Sequence, residues 1–392
     1  MPILTSDAIF ENAQHPFTLT LLLAVPGQLS FFDNEFLMRI FFMTFPNTTT
    51  STRRRLDQFG LVVVAAARFS RFFALLVAGL ALSGAAAAQS LPQTLKFGHV
   101  YEVGEPYHRW ATWAAGEIKA RTNGRWEVKV FPTSSLGKEQ DLYQGLALGS
   151  VDLTYTGSFY AARDHGPMAL ASAPFMFRDF AHWDGFRNSD LYRGIRDAYT
   201  SKTGNPVLAL TYYGERHVTS NRPVRVPADM KGMKFRTPDA PMYTLFPKAV
   251  GANPTPIAFA EVYLALQNGT VDGQENPLPT ILAKKFYEVN KNISLTGHMT
   301  DSLVTLAAPG LWKKLSEADR KVFGDVFREA GAKCTEEIRT LEAKLVTELE
   351  TVYKANVIKV DRKPFQDALA PALQGANLPW SSDQFRQVQA IR

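Results

Sequence analysis

Three features of the sequence predict an α/β protein of two lobes. Short apolar runs alternate with segments of helical spacing between Leu95 and Thr156, and again between Pro206 and Asn276. A stretch in the first region is echoed residue by residue in the second. A long helical pattern then runs from Ser316 to about Lys354, late enough in the chain to brace two lobes together.

The elements follow in order. Leu95–Val100 is a short apolar strand. Tyr107–Arg121 has helical spacing (Trp110, Trp113, Ala114, Ile118) and ends at Thr122-Asn123-Gly124, a sequence suited to a C-cap turn. Trp126–Phe131 alternates as a strand, Gln140–Leu148 is a helix stopped by Gly149, and Val151–Thr156 is a strand. Further on, Pro206–Tyr213 reads as a buried strand. Met233–Arg236 is another strand, entered through Lys231-Gly232, while Pro241–Val250 and Phe259–Asn268 are helical. Ser316-Glu317-Ala318-Asp319 resembles a capping box. Val357–Val360 is a late strand, and Asp361–Arg392 reads as short helices and loops.

The echo pairs LYQGLALGSVD (142–152) with VYLALQNGTVD (262–272) at a constant offset. Tyr143, Leu146, Gly149, Val151 and Asp152 match Tyr263, Leu266, Gly269, Val271 and Asp272, and each copy follows a Pro-Thr pair. The shared unit is a helix, a glycine cap and a strand leading inward. Thr156 and Gly157 then stand in lobe one where Asn276 stands in lobe two.

With 392 residues, 46% hydrophobic and 20% charged, the chain can bury one large or two medium cores. A mean hydropathy of −0.13 argues against a polytopic membrane protein. The net charge of +6 is spread thinly, with no basic run after Arg55, so nucleic acid is not an expected partner. One cysteine, Cys334, rules out an intramolecular disulfide and argues against a cysteine metal site.

Near the N-terminus, Arg68 and Arg71 precede an apolar stretch from Phe72 to Leu82 and the small residues 83–88. This is the pattern of a cleavable secretory signal with cleavage near Ala88, the stretch being short for a membrane span. Residues 1–60 precede that signal and are read as an over-extended start, with translation beginning at Met43 or later. Residues 1–88 carry six Lys/Arg and five Asp/Glu, so the remainder carries +5.

The sequence contains no GxSxG, GxGxxG, Walker A, HExxH or EF-hand pattern, and no two of its seven histidines lie four apart. No catalytic residue, cofactor or metal is therefore expected. The polar residues that stand at strand ends beside Gly and Pro are Arg216, Arg236 and Asn276, where α/β folds receive ligands. Singly, each has an ordinary structural use; Glu215, for example, offers Arg216 a partner next door. Together, a planar guanidinium suits bidentate grip of a carboxylate, and an amide adds a donor without charge. Phe259, Tyr213 and Tyr155 are candidates for the walls, with Tyr160 near them, and Gly157 for the strand end opposite.

Several segments resemble one family. RHVTSNRP (216–223), MKGMKFRTP (230–238), PTPIAFAEVYLALQNGTVDGQENP (254–277) and KFYEV (285–289) look like the solute-binding subunits of TRAP (tripartite ATP-independent periplasmic) transporters, the DctP-type family. FPTSSLG (131–137) and GSVD (149–152) fit as well, and the similarity runs from Leu95 to about Leu373. The resemblance is nearest to the branch that contains the sialic-acid binders. The resemblance implies a periplasmic flytrap whose two α/β lobes are joined by crossing strands and a long helix. In such a protein Arg236 would form the salt bridge to the ligand carboxylate, Arg216 and Asn276 would assist, and Phe259 would pack on the ligand. The branch carries an Asn at the end of the first strand and a Glu in the strand after GSxD; here these are Val100 and Gly157. Losing both polar contacts turns the expectation from sialic acid toward another sugar acid or hydroxy acid.

The expected organisation is a signal-bearing extension at 1–88, lobe one at 91–213 with 302–341, lobe two at 214–301 with 342–373, and a tail at 374–392. The expected function is capture of a small organic carboxylate in the periplasm by a monomer. The resemblance adds delivery to the integral membrane subunits of a sodium-coupled transporter. The rival readings are a periplasmic sensor subunit and an enzyme on the same scaffold.

Overall fold

The computed structural model describes residues 92–374 and 377–392. The proposed signal and the residues before it lie outside the described residues. The described chain is mixed α/β, built on one nine-stranded sheet in the order β2-β1-β3-β8-β4-β7-β5-β6, with β9 attached to β8. The strands are β1 (Gln93–Gly98), β2 (Trp126–Phe131), β3 (Leu153–Gly157), β4 (Val207–Ser220), β5 (Lys234–Thr237), β6 (Asn253–Pro256), β7 (Gly273–Pro277), β8 (Asn292–Ala307) and β9 (Asn356–Ile358).

The echo is a repeated structure. β1 pairs in parallel with β2 and β3, and β5 pairs in parallel with β6 and β7. Helix Glu139–Leu148 ends at Gly149 with φ 72°, and helix Val262–Gln267 is followed by Gly269 with φ 69°. Only glycine takes that left-handed conformation without cost. The aspartate after each cap does the same work in both copies. Asp152 accepts from the Lys96 amide at 2.8 Å, and Asp272 accepts from the Lys234 amide at 2.8 Å. The aspartate amides return bonds to the Lys96 and Lys234 carbonyls.

Two long strands tie the repeats together. β4 and β8 run antiparallel along their length; β8 also pairs with β3, and the second half of β4 pairs with β7. The β4–β8 register shifts between Tyr212 and Gly214. Gly214 sits there at φ 122°, and a Cβ would lie 2.7 Å from Glu342 Oε1 and 2.8 Å from Pro277. This bulge admits glycine alone. Helix Glu317–Thr351, capped by the Ser316 hydroxyl, packs across β4 and helix Pro106–Arg121. Its Glu342 accepts from the Glu215 amide at 2.7 Å and the Tyr212 hydroxyl at 2.9 Å. Cys334 on this helix is buried and free.

Two expectations change. Arg216 does not end a strand but lies within the 14-residue β4, and β8 was not foreseen. Both have one cause. His217, Thr219, Thr300, Asp301 and Ser302 look like surface or loop residues, yet all are buried with partners in the sheet. Burial on both faces also removes the alternation by which a strand is recognised.

Candidate functional site

The polar residues singled out converge on a cleft between the two repeats. Its outer part, ≈ 320 Å³, is lined by Lys138, Glu139 and Tyr160 from the first repeat and by Arg236, Asp239, Ile257 and Phe259 from the second. A small deeper cavity adjoins it, sharing Glu139, Arg236 and Phe259 and adding Val100, Tyr101, Tyr213, Arg216, Tyr243 and Asn276.

Arg236 is held by β5. Its Nε and Nη2 donate to the Ile257 carbonyl at 3.0 and 2.8 Å, which fixes the plane of the guanidinium. Nη1 is buried and has no hydrogen-bond partner. Among the described residues Arg236 is the one buried Arg or Lys side chain with no carboxylate within salt-bridge distance. Burial pulls its pKa below the ordinary guanidinium range, with Glu275 pulling the other way. A buried cation without a counter-charge is costly, so this geometry favours an anion arriving in the cleft. The Phe259 ring lies 5.9 Å from the guanidinium and forms a wall of both cavities.

Arg216 stands differently. Its Nη2 donates to Glu275 Oε1 at 2.7 Å and to the Glu275 carbonyl at 2.8 Å, its Nε donates to Glu275 Oε2, and its Nη1 donates to Asp301 Oδ2 at 2.8 Å. Four of the five guanidinium N–H groups thus go to protein acceptors. Its partners are not Glu215, which pairs with Arg362. Burial alone would raise the Glu275 carboxyl; Arg216 and then His298 overcome it and hold Glu275 down to about 2. Burial raises Asp301, against the pull of Arg216. Arg216 is thus anchored in an ion cluster at the floor of the cleft, while it also lines the deep cavity beside Asn276.

Asn276 and Tyr213 line the deep cavity, joined by a bond from the Tyr213 hydroxyl to Asn276 Oδ1 at 3.2 Å. Tyr155 lines neither cavity; its ring packs edge-on against Phe97 at 4.8 Å in the core. Gly157 offers neither a side chain nor a free donor, because its amide donates to Glu139 Oε1 at 2.7 Å. Its place is nevertheless strict, since a Cβ there would lie 2.4 Å from the Tyr243 hydroxyl. Gly157→Ala is expected to destabilise the fold by about 1–3 kcal/mol through overpacking. Adding Tyr243→Phe should recover most of that loss. Urea denaturation of the two variants checks this, and an unrescued double variant would refute it.

Glu139 and Tyr243 escaped the sequence reading. Glu139 opens its helix one residue earlier than expected, and it accepts from Thr156 Oγ1 at 3.1 Å as well as from Gly157. Burial raises its carboxyl above the usual range. A signal was present: an acidic residue in the first turn directly after the Gly137 turn, aimed at the same strand end as Gly157. Tyr243 lies in a 3-10 turn with no comparable pattern.

Two α/β repeats joined by crossing strands, with a polar cleft between them, define a two-lobed ligand-capturing protein. The chain belongs to the bacterial extracellular solute-binding protein family 7, DctP, whose profile matches residues 97–377. The sialic acid-binding periplasmic protein SiaP of Vibrio cholerae is 36% identical over 302 residues, covering 75% of this chain and 91% of SiaP. A TRAP periplasmic solute-binding protein from Polaromonas sp. JS666, solved with D-erythronate, superposes with a TM-score of 0.73 at 33% identity, covering 76% of this chain and 99% of that one. Another from Roseobacter denitrificans, solved with L-galactonate, gives 0.69 at 34% identity over 77% and 99%.

Proposed function

We propose that this protein captures a small organic carboxylate, of the sugar-acid or hydroxy-acid type, and delivers it to the membrane subunits of a TRAP-type secondary transporter. The observation that carries the reading is Arg236, buried in the cleft with Nη1 free of any partner. A ligand carboxylate would meet Arg236 and Asn276, with Phe259 packed on its body. Glu139 and Tyr160 would accept from or donate to its hydroxyls. The relatives bound to D-erythronate and L-galactonate support an acid of this kind. The lobes of this reading are 91–213 with 302–341 and 214–301 with 342–373, closing over the ligand as a monomer.

Thermal-shift screening against a panel of organic acids including these two tests it, because a ligand of the folded state raises the melting temperature by mass action. Stabilisation by neutral sugars and not by acids would refute the reading. A sensor subunit would bind the same ligand; stimulated uptake in vesicles holding the membrane subunits favours transport. Among the described residues no helix is long and apolar enough to cross a membrane. For export we propose cleavage after Ala88. Mass-spectrometric sequencing of the secreted protein should find Gln89 first, and recovery of residues 1–60 would refute it.

A further inference from the structure

Asn276 is one link in a buried chain of six hydrogen-bonded side chains. Gln274 Nε2 lies 2.7 Å from Thr219 Oγ1, and Asn276 Nδ2 lies 2.5 Å from Gln274 Oε1. The Tyr213 hydroxyl is 3.2 Å from Asn276 Oδ1 and 3.2 Å from Thr280 Oγ1. Thr280 Oγ1 is 2.6 Å from Glu105 Oε1. All six residues are buried, and Glu105, Thr280, Gln274 and Thr219 line neither cavity.

Each contact needs one hydrogen. With the Asn276 oxygen turned to Tyr213, three contacts separate it from Glu105, and only the Tyr213 and Thr280 hydroxyls lie between. When all three contacts carry a hydrogen, the third sits on Glu105, which donates to Thr280, which donates to Tyr213, which donates to Asn276. The reverse order is equally complete. Turning both amides end for end lets Thr219 donate to Gln274, Gln274 to Asn276, and Asn276 to Tyr213. Tyr213 then donates to Thr280, and Thr280 to an ionised Glu105. The two orders differ by one proton, and Glu105 carries it.

Tyr213 and Asn276 line the deep cavity, and Gln274 does not. The Asn276 atom that meets Tyr213, the other chain member lining the cavity, is the one this proposal places toward a ligand. It is a carbonyl oxygen when Glu105 is protonated and an NH2 group when Glu105 is ionised. We propose that Glu105 is a positioning residue that decides, through this chain, whether Asn276 offers an anionic ligand a donor or an acceptor. Capture of a carboxylate then expels the proton from Glu105. This rests on the carboxylate reading above.

The surroundings of Glu105 suit the role. Burial raises its carboxyl to about 7, against hydrogen bonds from Thr280 and the Glu102 amide; the Glu102 charge adds to the rise and Lys284 opposes it. Lys284 is itself paired with Glu102 at 2.8 Å. Tyr107, Tyr213 and Cys334 also face Glu105, and burial keeps all three protonated. The sign follows: binding favours the ionised form, so affinity is full above about pH 7 and is lost as pH falls through that value. At full coupling, affinity falls about 10-fold from pH 8 to pH 6.

The test has two readouts. Carbon-13 NMR of the glutamate carboxyls, without ligand, should show Glu105 titrating near pH 7, the signal being identified by its loss in Glu105→Gln. Titration in the ordinary carboxylate range overturns the proposal whatever the ligand does. Calorimetric titration with the tightest acid of the panel should show the 10-fold fall for the wild type. In Glu105→Gln the amide oxygen still accepts from the Glu102 N–H, which bonds Glu105 Oε2 at 2.7 Å, so the NH2 faces Thr280 and locks the protonated order. That variant should bind much more than 10-fold more weakly than the wild type at pH 8, with a flat profile. Tyr213→Phe, which cuts the chain, should also be flat. A wild-type slope in Glu105→Gln overturns the proposal. Arg236→Ala separates the two readings. Wild-type affinity in it would refute the carboxylate clamp and leave the NMR titration to judge the proton chain. Weak binding beside a flat wild-type profile would refute the coupling alone.

Discussion

Arg236→Ala is expected to weaken ligand binding by at least about 30-fold, with little change in fold stability. A carboxylate that enters the cleft gives up its hydration and needs a charge partner in return. Nη1 of Arg236 is placed for that part, because the Ile257 carbonyl already holds Nε and Nη2. Truncating one member of a buried, hydrogen-bonded charge pair costs about 2–5 kcal/mol, and the lower figure is about 30-fold in affinity. Arg236→Lys keeps the charge and loses the fork, so it should fall between wild type and Ala. Stability should survive, since the substitution removes a buried cation that lacks a counter-charge. Calorimetric titration decides: binding by Arg236→Ala within about threefold of wild type, under ~0.7 kcal/mol, would make this arginine structural.

Arg216→Ala should do the opposite, costing stability far more than any direct ligand contact would. Removing Arg216 leaves Glu275 and Asp301 buried without their cation. Breaking a buried pair in this way costs about 3–5 kcal/mol, or roughly 5–15 °C in melting temperature for a domain of this size. The pH dependence identifies the cause. In the wild type Glu275 lies at about 2, below its ordinary value of 4.5, so its contribution is present above 4.5 and lost as pH falls toward 2. Without Arg216 that contribution is gone at neutral pH. The gap between variant and wild type should therefore be widest near pH 7 and close on acidification below about 4. A gap that does not change with pH would show that lost packing, not charge, is responsible.

The contrast between these two arginines marks how far the sequence could be read. Both stand in apolar surroundings near turn residues, and both match the same family motif set. Nothing local to Arg216 separates it from Arg236, because Glu275 and Asp301 lie 59 and 85 residues further along the chain. The pairing of β4 with β7 and β8 brings them together. Tyr155 shows the same limit. Its place on β3 was foreseen, but its ring packs into the core against Phe97. The Glu139 carboxylate was missed because its work, accepting from Thr156 and Gly157, is done across 17 and 18 residues.

What the sequence determined by itself is whatever short-range chemistry controls. Strand alternation at 126–131, the glycine caps at Gly149 and Gly269, the Ser316 cap of the long helix and the echo at 142–152 and 262–272 all depend on neighbours within a few residues. Each appears in the structure close to its expected place. Tertiary structure alone decided which polar residues were buried in β8, which of the two arginines kept a free nitrogen, and which side chains join in the chain from Glu105 to Asn276. Those outcomes depend on desolvation and on charges brought together through space, and a sheet that joins strands distant in sequence leaves no local trace of either.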